Sequence, residues 1–72
     1  MKEIIISTEY IKLGQFLKFA AIIDSGAFAK TFLSENEVLV NGELEDRRGR
    51  KLYSGDIIEV CGEKFIIKED QA

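Results

Sequence analysis

The stretch Ser25–Val60, SGAFAKTFLSENEVLVNGELEDRRGRKLYSGDIIEV, decides the fold. Its clearest part is Val38-Leu39-Val40-Asn41-Gly42-Glu43-Leu44-Glu45. Asn-Gly is the preferred pair for a two-residue type I′ turn, which needs positive φ at both central positions. Such a turn sets Val40 opposite Glu43 and Leu39 opposite Leu44, making the two leucines cross-strand neighbours. Upstream, Ser25 is a candidate helix N-cap. Phe28 with Phe32 and Ala29 with Leu33 are i, i+4 pairs, and Asn36 is the expected left-handed stop. Downstream, Asp46-Arg47-Arg48-Gly49-Arg50-Lys51 has no apolar member and reads as an exposed loop. Leu52 and Tyr53 return to the core, Ser54-Gly55-Asp56 turns, and Ile57–Val60 is a strand.

Working outward, Glu3–Ser7 is short and β-branched, a strand buried on both faces or lying against a helix. Thr8–Ile11 reads either as its continuation past a kink or as the lead into a helix. Leu13, Phe16, Leu17, Ala20 and Ile23 then form one apolar stripe at helical spacing. Phe19 and Ile22 widen it, so the helix is expected to be covered on more than one side. Asp24-Ser25-Gly26 breaks the pattern. At the other end, Cys61-Gly62-Glu63 turns into a last strand, Lys64–Lys68, and a frayed polar tail, Glu69–Ala72, follows. The expected architecture is one α+β domain over residues 1–72, with two short helices packed on a small antiparallel sheet.

Composition narrows the function. A 72-residue chain buries only about 60% of its unfolded surface, so its core is small. A single cysteine and no histidine exclude the usual zinc sites and the Ser-His and Cys-His nucleophile pairs. The carboxylates show no ligand spacing. The expectation is a protein without enzymatic activity, metal or cofactor, in a reducing cytoplasm. Its apolar runs are too short to cross a bilayer, and no signal-peptide-like stretch opens it. The formal net charge of −3 means that any anion-binding surface is a local patch on an acidic body.

The best candidate for that patch is Arg47, Arg48, Arg50 and Lys51, four of the chain's ten basic residues. The planar guanidinium fork suits phosphate oxygens, and Gly49 lets the main chain turn or approach closely. In the competing reading the loop charges pair with Glu43, Glu45 and Asp46.

Several motifs together resemble the αL RNA-binding domain of the S-four type, over about residues 12–60. Lys12-Leu13-Gly14-Gln15-Phe16-Leu17 is similar to the start of that family's first helix, with Gly14 where the pattern carries Asp. Ser25 and Ala29-Lys30 match its second helix, with Gly26 in place of Arg. Val38-Leu39-Val40-Asn41-Gly42 and Gly55-Asp56-Ile57-Ile58-Glu59-Val60 match its two strand motifs. The chain looks most like the stand-alone, YaaA-like bacterial members. The resemblance implies an RNA-binding module for structured RNA, ribosomal RNA above all, in the ribosome or an assembling subunit. Lys12 and Lys30 then join the loop residues, and Gln15 is a further candidate for a phosphate or sugar contact; Lys18 is as readily an ordinary surface lysine. Ribosomal or assembly proteins are further expected partners; membrane and DNA are not. Tyr53 is expected to pack beside Leu52, with stacking on an unpaired base as the alternative. Phe16, Phe28 and Phe32 are expected in the core. The other functional reading is a protein-interaction module on the same scaffold, favoured by the acidic balance and Gly26.

Overall fold

The computed structural model describes residues 1–70, and the hairpins at Asn41-Gly42 and Cys61-Gly62 follow the turn signals. The elements are β1 (Lys2–Ile6), β2 (Tyr10–Lys12), α1 (Leu13–Phe19), a 3-10 turn (Gly26–Phe28) running into α2 (Ala29–Glu35), β3 (Val38–Val40), β4 (Glu43–Leu44), β5 (Lys51–Tyr53), β6 (Ile57–Val60) and β7 (Glu63–Glu69). Five strands form one sheet in the order β1-β7-β6-β3-β4, and β2 pairs with β5 in a separate ribbon.

The Asn41-Gly42 turn has φ of 53° and 84° and sets Val40 opposite Glu43 and Leu39 opposite Leu44. Cys61-Gly62 repeats it between β6 and β7, at φ of 54° and 75°, closing on Val60 and Glu63. Cys61 thus occupies the conformation that Asn41 holds in the first hairpin, and its thiol is free and exposed. The Asn41-Gly42 turn and the Gly55-Asp56 turn that precedes β6 are also tied together by side chains. Asn41 donates from Nδ2 to Asp56 Oδ1 (3.0 Å) and accepts from the Ile57 N–H (2.9 Å), while Asp56 Oδ2 accepts from the Tyr53 N–H (2.8 Å). The Asn-Gly and Gly-Asp motifs are therefore one hydrogen-bonded unit.

The sheet is mixed rather than wholly antiparallel, because β1 runs parallel to β7, with Ile4 opposite Ile67. Ile4 and Ile6 pack on the core while Ile5 is exposed, so β1 is an edge strand with one buried face, not two. The expected tail is shorter than anticipated: Glu69 completes β7 and the Asp70 N–H bonds the Ile6 carbonyl (2.7 Å). The remainder of that expected tail, residues 71–72, lies outside the described residues.

The core forms between the helices and the sheet. Leu13, Phe16 and Leu17 of α1 and Ala29 and Leu33 of α2 meet Val38, Val40, Ile58, Val60, Phe65 and Ile67. Phe16 sits edge-on to Phe65 at 5.2 Å between centroids, the geometry the ring quadrupole favours. Each fully buried large side chain contributes about 1.5–3 kcal/mol.

The helices are shorter than their stripes. α1 stops at Phe19, and Ile23 reaches the core from the segment beyond it. The Ala21 N–H bonds the Lys18 carbonyl (3.0 Å) and the Ile22 N–H the Leu17 carbonyl (2.9 Å), a Schellman ending with Ala21 left-handed at φ 60°. Phe19 escapes the stripe and is 64% exposed, so the wider cover expected of α1 is absent on the Phe19 side. Phe28 is likewise 57% exposed and Phe32 only half-buried, so of the three phenylalanines expected in the core, Phe16 alone is fully inside. Ser25 caps the 3-10 turn through its carbonyl, which accepts the Phe28 N–H (3.1 Å), and its side chain makes no cap bond. Asn36 is extended (φ −132°) rather than left-handed; its Nδ2 closes α2 by donating to the Phe32 carbonyl (3.0 Å).

Tyr10–Lys12 settles as strand. It pairs antiparallel with β5, setting Tyr10 opposite Tyr53, Ile11 opposite Leu52 and Lys12 opposite Lys51. β2 then runs directly into α1, bringing the helix start beside the basic loop.

Candidate nucleic-acid interface

The loop between β4 and β5 is folded around one carboxylate. The Glu45 side chain is only 6% exposed. It accepts from Arg47 Nε (3.0 Å) and Nη2 (3.1 Å), from Arg50 Nη1 (2.8 Å), and from the main-chain N–H groups of Asp46 and Arg47 (both 3.1 Å). The Arg47 guanidinium foremost, with Arg50 and the Arg47 N–H, outweighs burial and lowers the Glu45 carboxyl from 4.5 to about 2. Of the three acids expected to pair with the loop, Glu45 is the one that does so among the described residues. Arg47 nevertheless keeps 73% of its side chain exposed, while Arg50 is more enclosed.

The loop is also stitched to α1. The first N–H groups of a helix lack partners within it. Here the Leu13 N–H bonds the Arg50 carbonyl (2.8 Å) and the Gly14 N–H the Arg48 carbonyl (2.9 Å). Gln15 Oε1 accepts the Lys12 N–H (2.9 Å), which fixes the strand-to-helix junction. Gly14 permits the close approach: a Cβ there would lie 3.3 Å from Ala29 Cβ and 3.4 Å from Arg48 Cβ. Helix, helix and loop therefore meet at Gly14.

Two adjoining hollows result. The first is lined by Lys12, Gln15, Lys18, Arg48 and Gly49, with Gly14 and Gly26 in its wall. The second is lined by Gly49, Arg47, Arg50, Lys51 and Tyr53. The expected residues Lys12, Gln15 and Arg48 thus share one hollow, and Arg47, Arg50 and Lys51 the other. Lys30, exposed on α2, borders neither. Lys18, which sequence spacing leaves ambiguous, joins the first.

Tyr53 does not pack into the core beside Leu52. Strand alternation turns Leu52 inward and Tyr53 outward, where it is 43% exposed and faces Tyr10 at 5.8 Å between centroids. Lys51 Nζ lies 4.8 Å from the centroid of the Tyr10 ring, a cation–π contact.

The distribution of charge is the strongest feature. Lys2, Lys64 and Lys68, on β1 and β7, pair with Glu63, Glu59 and Glu3; Arg47 and Arg50 pair with Glu45. Among the described residues the other five cations, Lys12, Lys18, Lys30, Arg48 and Lys51, have no such partner. Three of them line the first hollow, and Lys12 and Lys51 stand opposite each other in the ribbon, a like-charge pairing that costs stability. Unneutralised cations are collected where an anion can reach them.

The sequence carried partial signals for what it left unassigned. Glu45 sits two and five residues before the arginines it binds, but nothing in composition marks a carboxylate as buried. Tyr10 becomes visible only once β2 is paired with β5.

A helix pair on a sheet, with a cationic loop docked on the first helix, defines the class. The chain belongs to the S4 domain family, whose pattern it matches over residues 4–68. That span exceeds the 12–60 motif core and takes in part of β1 and most of β7, which the structure shows to be paired. The chain is similar to the probable ribosome maturation protein RlbA of Bacillus subtilis (strain 168), at 65% identity over 57 residues, covering 79% of this chain and 80% of that protein.

Proposed function

We propose that this protein is a non-enzymatic RNA-binding module that recognises folded ribosomal RNA, in the ribosome or an assembling subunit. The observation that carries this reading is the segregation of charge: among the described residues Lys12, Lys18 and Arg48 converge without carboxylate partners, while the sheet lysines are neutralised. Membership of the S4 domain family and the likeness to a probable ribosome maturation protein support an RNA- and ribosome-linked role. Lys12, Lys18 and Arg48 hold phosphates in the first hollow, and Arg47, Arg50 and Lys51 continue the track across Gly49. Gln15 has its carbonyl engaged in the helix cap, leaving its amide nitrogen to donate. Phosphate contacts set register and orientation but carry little sequence information, so RNA shape supplies the selectivity.

A charge-matched comparison tests this. The variants Lys12→Ala/Lys18→Ala/Arg48→Ala and Lys2→Ala/Lys64→Ala/Lys68→Ala each lower the net charge by the same three units from −3. In titrations against ribosomal RNA fragments at low salt, the first loses at least tenfold in affinity and the second stays near the native value. Equal losses would assign the binding to net charge and sink the groove.

A second reading, docking on a basic protein segment, has one observation in its favour. Ile22, Phe28 and Phe32 form an apolar hollow with Asp24 and Glu35 at its rim. Binding to ribosomal subunits that survives the groove variant but fails in Phe28→Asp would favour it.

A further inference from the structure

The outward face of the β2–β5 ribbon carries only two kinds of side chain. Ile11 and Leu52 point to the core, so Tyr10, Lys12, Lys51 and Tyr53 share the opposite face. The pairs are directly opposite, tyrosine to tyrosine and lysine to lysine. Two lysines side by side repel, and two tyrosines held at water leave apolar ring surface uncovered. The Lys51 ammonium is placed on the Tyr10 ring, 4.8 Å from its centroid, and among the described residues no cation lies over the Tyr53 ring. Tyr53 also borders the second hollow, with Arg47, Arg50 and Lys51 around it. An aromatic ring standing next to several cations, Lys51 on its own strand and Arg47 and Arg50 in the adjoining loop, matches a nucleotide: the base offers a π face and its flanking phosphates offer the charge.

We propose that this face is a platform for one unpaired nucleotide of the bound RNA, with the base stacked on Tyr53 and its flanking phosphates held by Lys51 and Arg47. It rests on the RNA-binding reading above and deepens it. Base-on-aromatic stacking tolerates any base, because every base has a π face, so the platform selects for an unstacked nucleotide rather than for a sequence. The module would then favour a bulge, loop or strand end beside a helix whose phosphates lie in the first hollow. The simpler role for the tyrosine pair is to hold a two-stranded ribbon together, and the two roles separate by spectroscopy.

The chain has two tyrosines and no tryptophan, so in Tyr10→Phe the emission of Tyr53 is observed alone. The probes are an RNA hairpin with a single bulged adenosine, the same hairpin fully paired, and the same hairpin with an abasic site at the bulge. The bulged hairpin quenches Tyr53 emission and binds roughly tenfold tighter than the other two. Tyr53→Leu abolishes that preference while still binding the paired hairpin; Tyr53→Phe retains it. Should Tyr53→Leu fail to fold by circular dichroism, the quenching and the bulge preference in Tyr10→Phe decide. Equal affinity for all three hairpins without quenching overturns the platform and leaves the groove intact. Failure of every hairpin to bind at low salt overturns both.

Discussion

At the scale of single residues, Glu45 does the most. It turns a run of arginines, which would otherwise repel one another, into an ordered loop. Because its folded pKa is lowered to about 2 from 4.5, the unfolded chain takes up the proton first. The stabilisation is complete above about pH 4.5 and is lost as pH falls towards 2. Urea unfolding at pH 7, 4 and 2.5 should show this loss, and Glu45→Gln should flatten it. At pH 7 that variant should cost about 1–3 kcal/mol, since it removes charged acceptors from two guanidinium groups. A curve in Glu45→Gln as steep as the native one would place the titration elsewhere. This hub was only half legible. The sequence showed acids beside the arginines, and the competing reading of paired charges holds for Arg47 and Arg50. It does not hold for Arg48, whose side chain turns to the other hollow while its carbonyl stays bound to α1.

At the scale of elements, legibility tracks where backbone conformation is written into residue type. Asn41-Gly42 announces two positive φ angles, so its hairpin and register could be read directly. Ala21 announces nothing. Alanine is the best helix former, yet here it sits left-handed and ends α1, so the apolar stripe read as a longer helix. The prediction is that Ala21→Gly stabilises the protein by about 0.5–1 kcal/mol, through relief of the αL penalty, read as a higher urea midpoint at unchanged slope. A lower midpoint would mean that the Schellman ending is not what holds this turn. The β1–β7 pair was invisible for a different reason. Its partners lie at opposite ends of the chain, with no turn between them to carry a signal. Gly14 belongs to this scale too. Gly14→Val would press on Ala29 and Arg48, part the loop from α1, and cost about 1–3 kcal/mol together with a loss of RNA affinity. Amide exchange at Leu13 and Gly14, whose N–H groups bond the loop carbonyls, would report the separation.

At the scale of the whole molecule, an acidic body carries a cationic groove because its charges are sorted. Three sheet lysines are spent in exposed pairs worth at most about 1 kcal/mol each, and Lys12, Lys18 and Arg48 of the groove are left unpaired among the described residues. Net charge alone would have argued against a nucleic-acid partner. The loop residues and Lys12 could be picked out as candidates from sequence because they fall in recognisable motifs. Their division into two hollows could not, nor could the place of Lys30 outside both, because both depend on how β2 and the loop close on α1.

The most direct test of this account is the salt dependence of binding to a ribosomal RNA fragment, measured as log Kd against log salt. Contact with about six phosphates, at roughly 0.7–0.9 per phosphate, predicts a log affinity slope of roughly −4 to −5 for the native protein. Lys12→Ala/Lys18→Ala/Arg48→Ala should flatten it by about 2, whereas Lys2→Ala/Lys64→Ala/Lys68→Ala should leave it unchanged. A native slope near zero, or equal flattening by both variants, would contradict the claim that sorted charge makes this groove the RNA site.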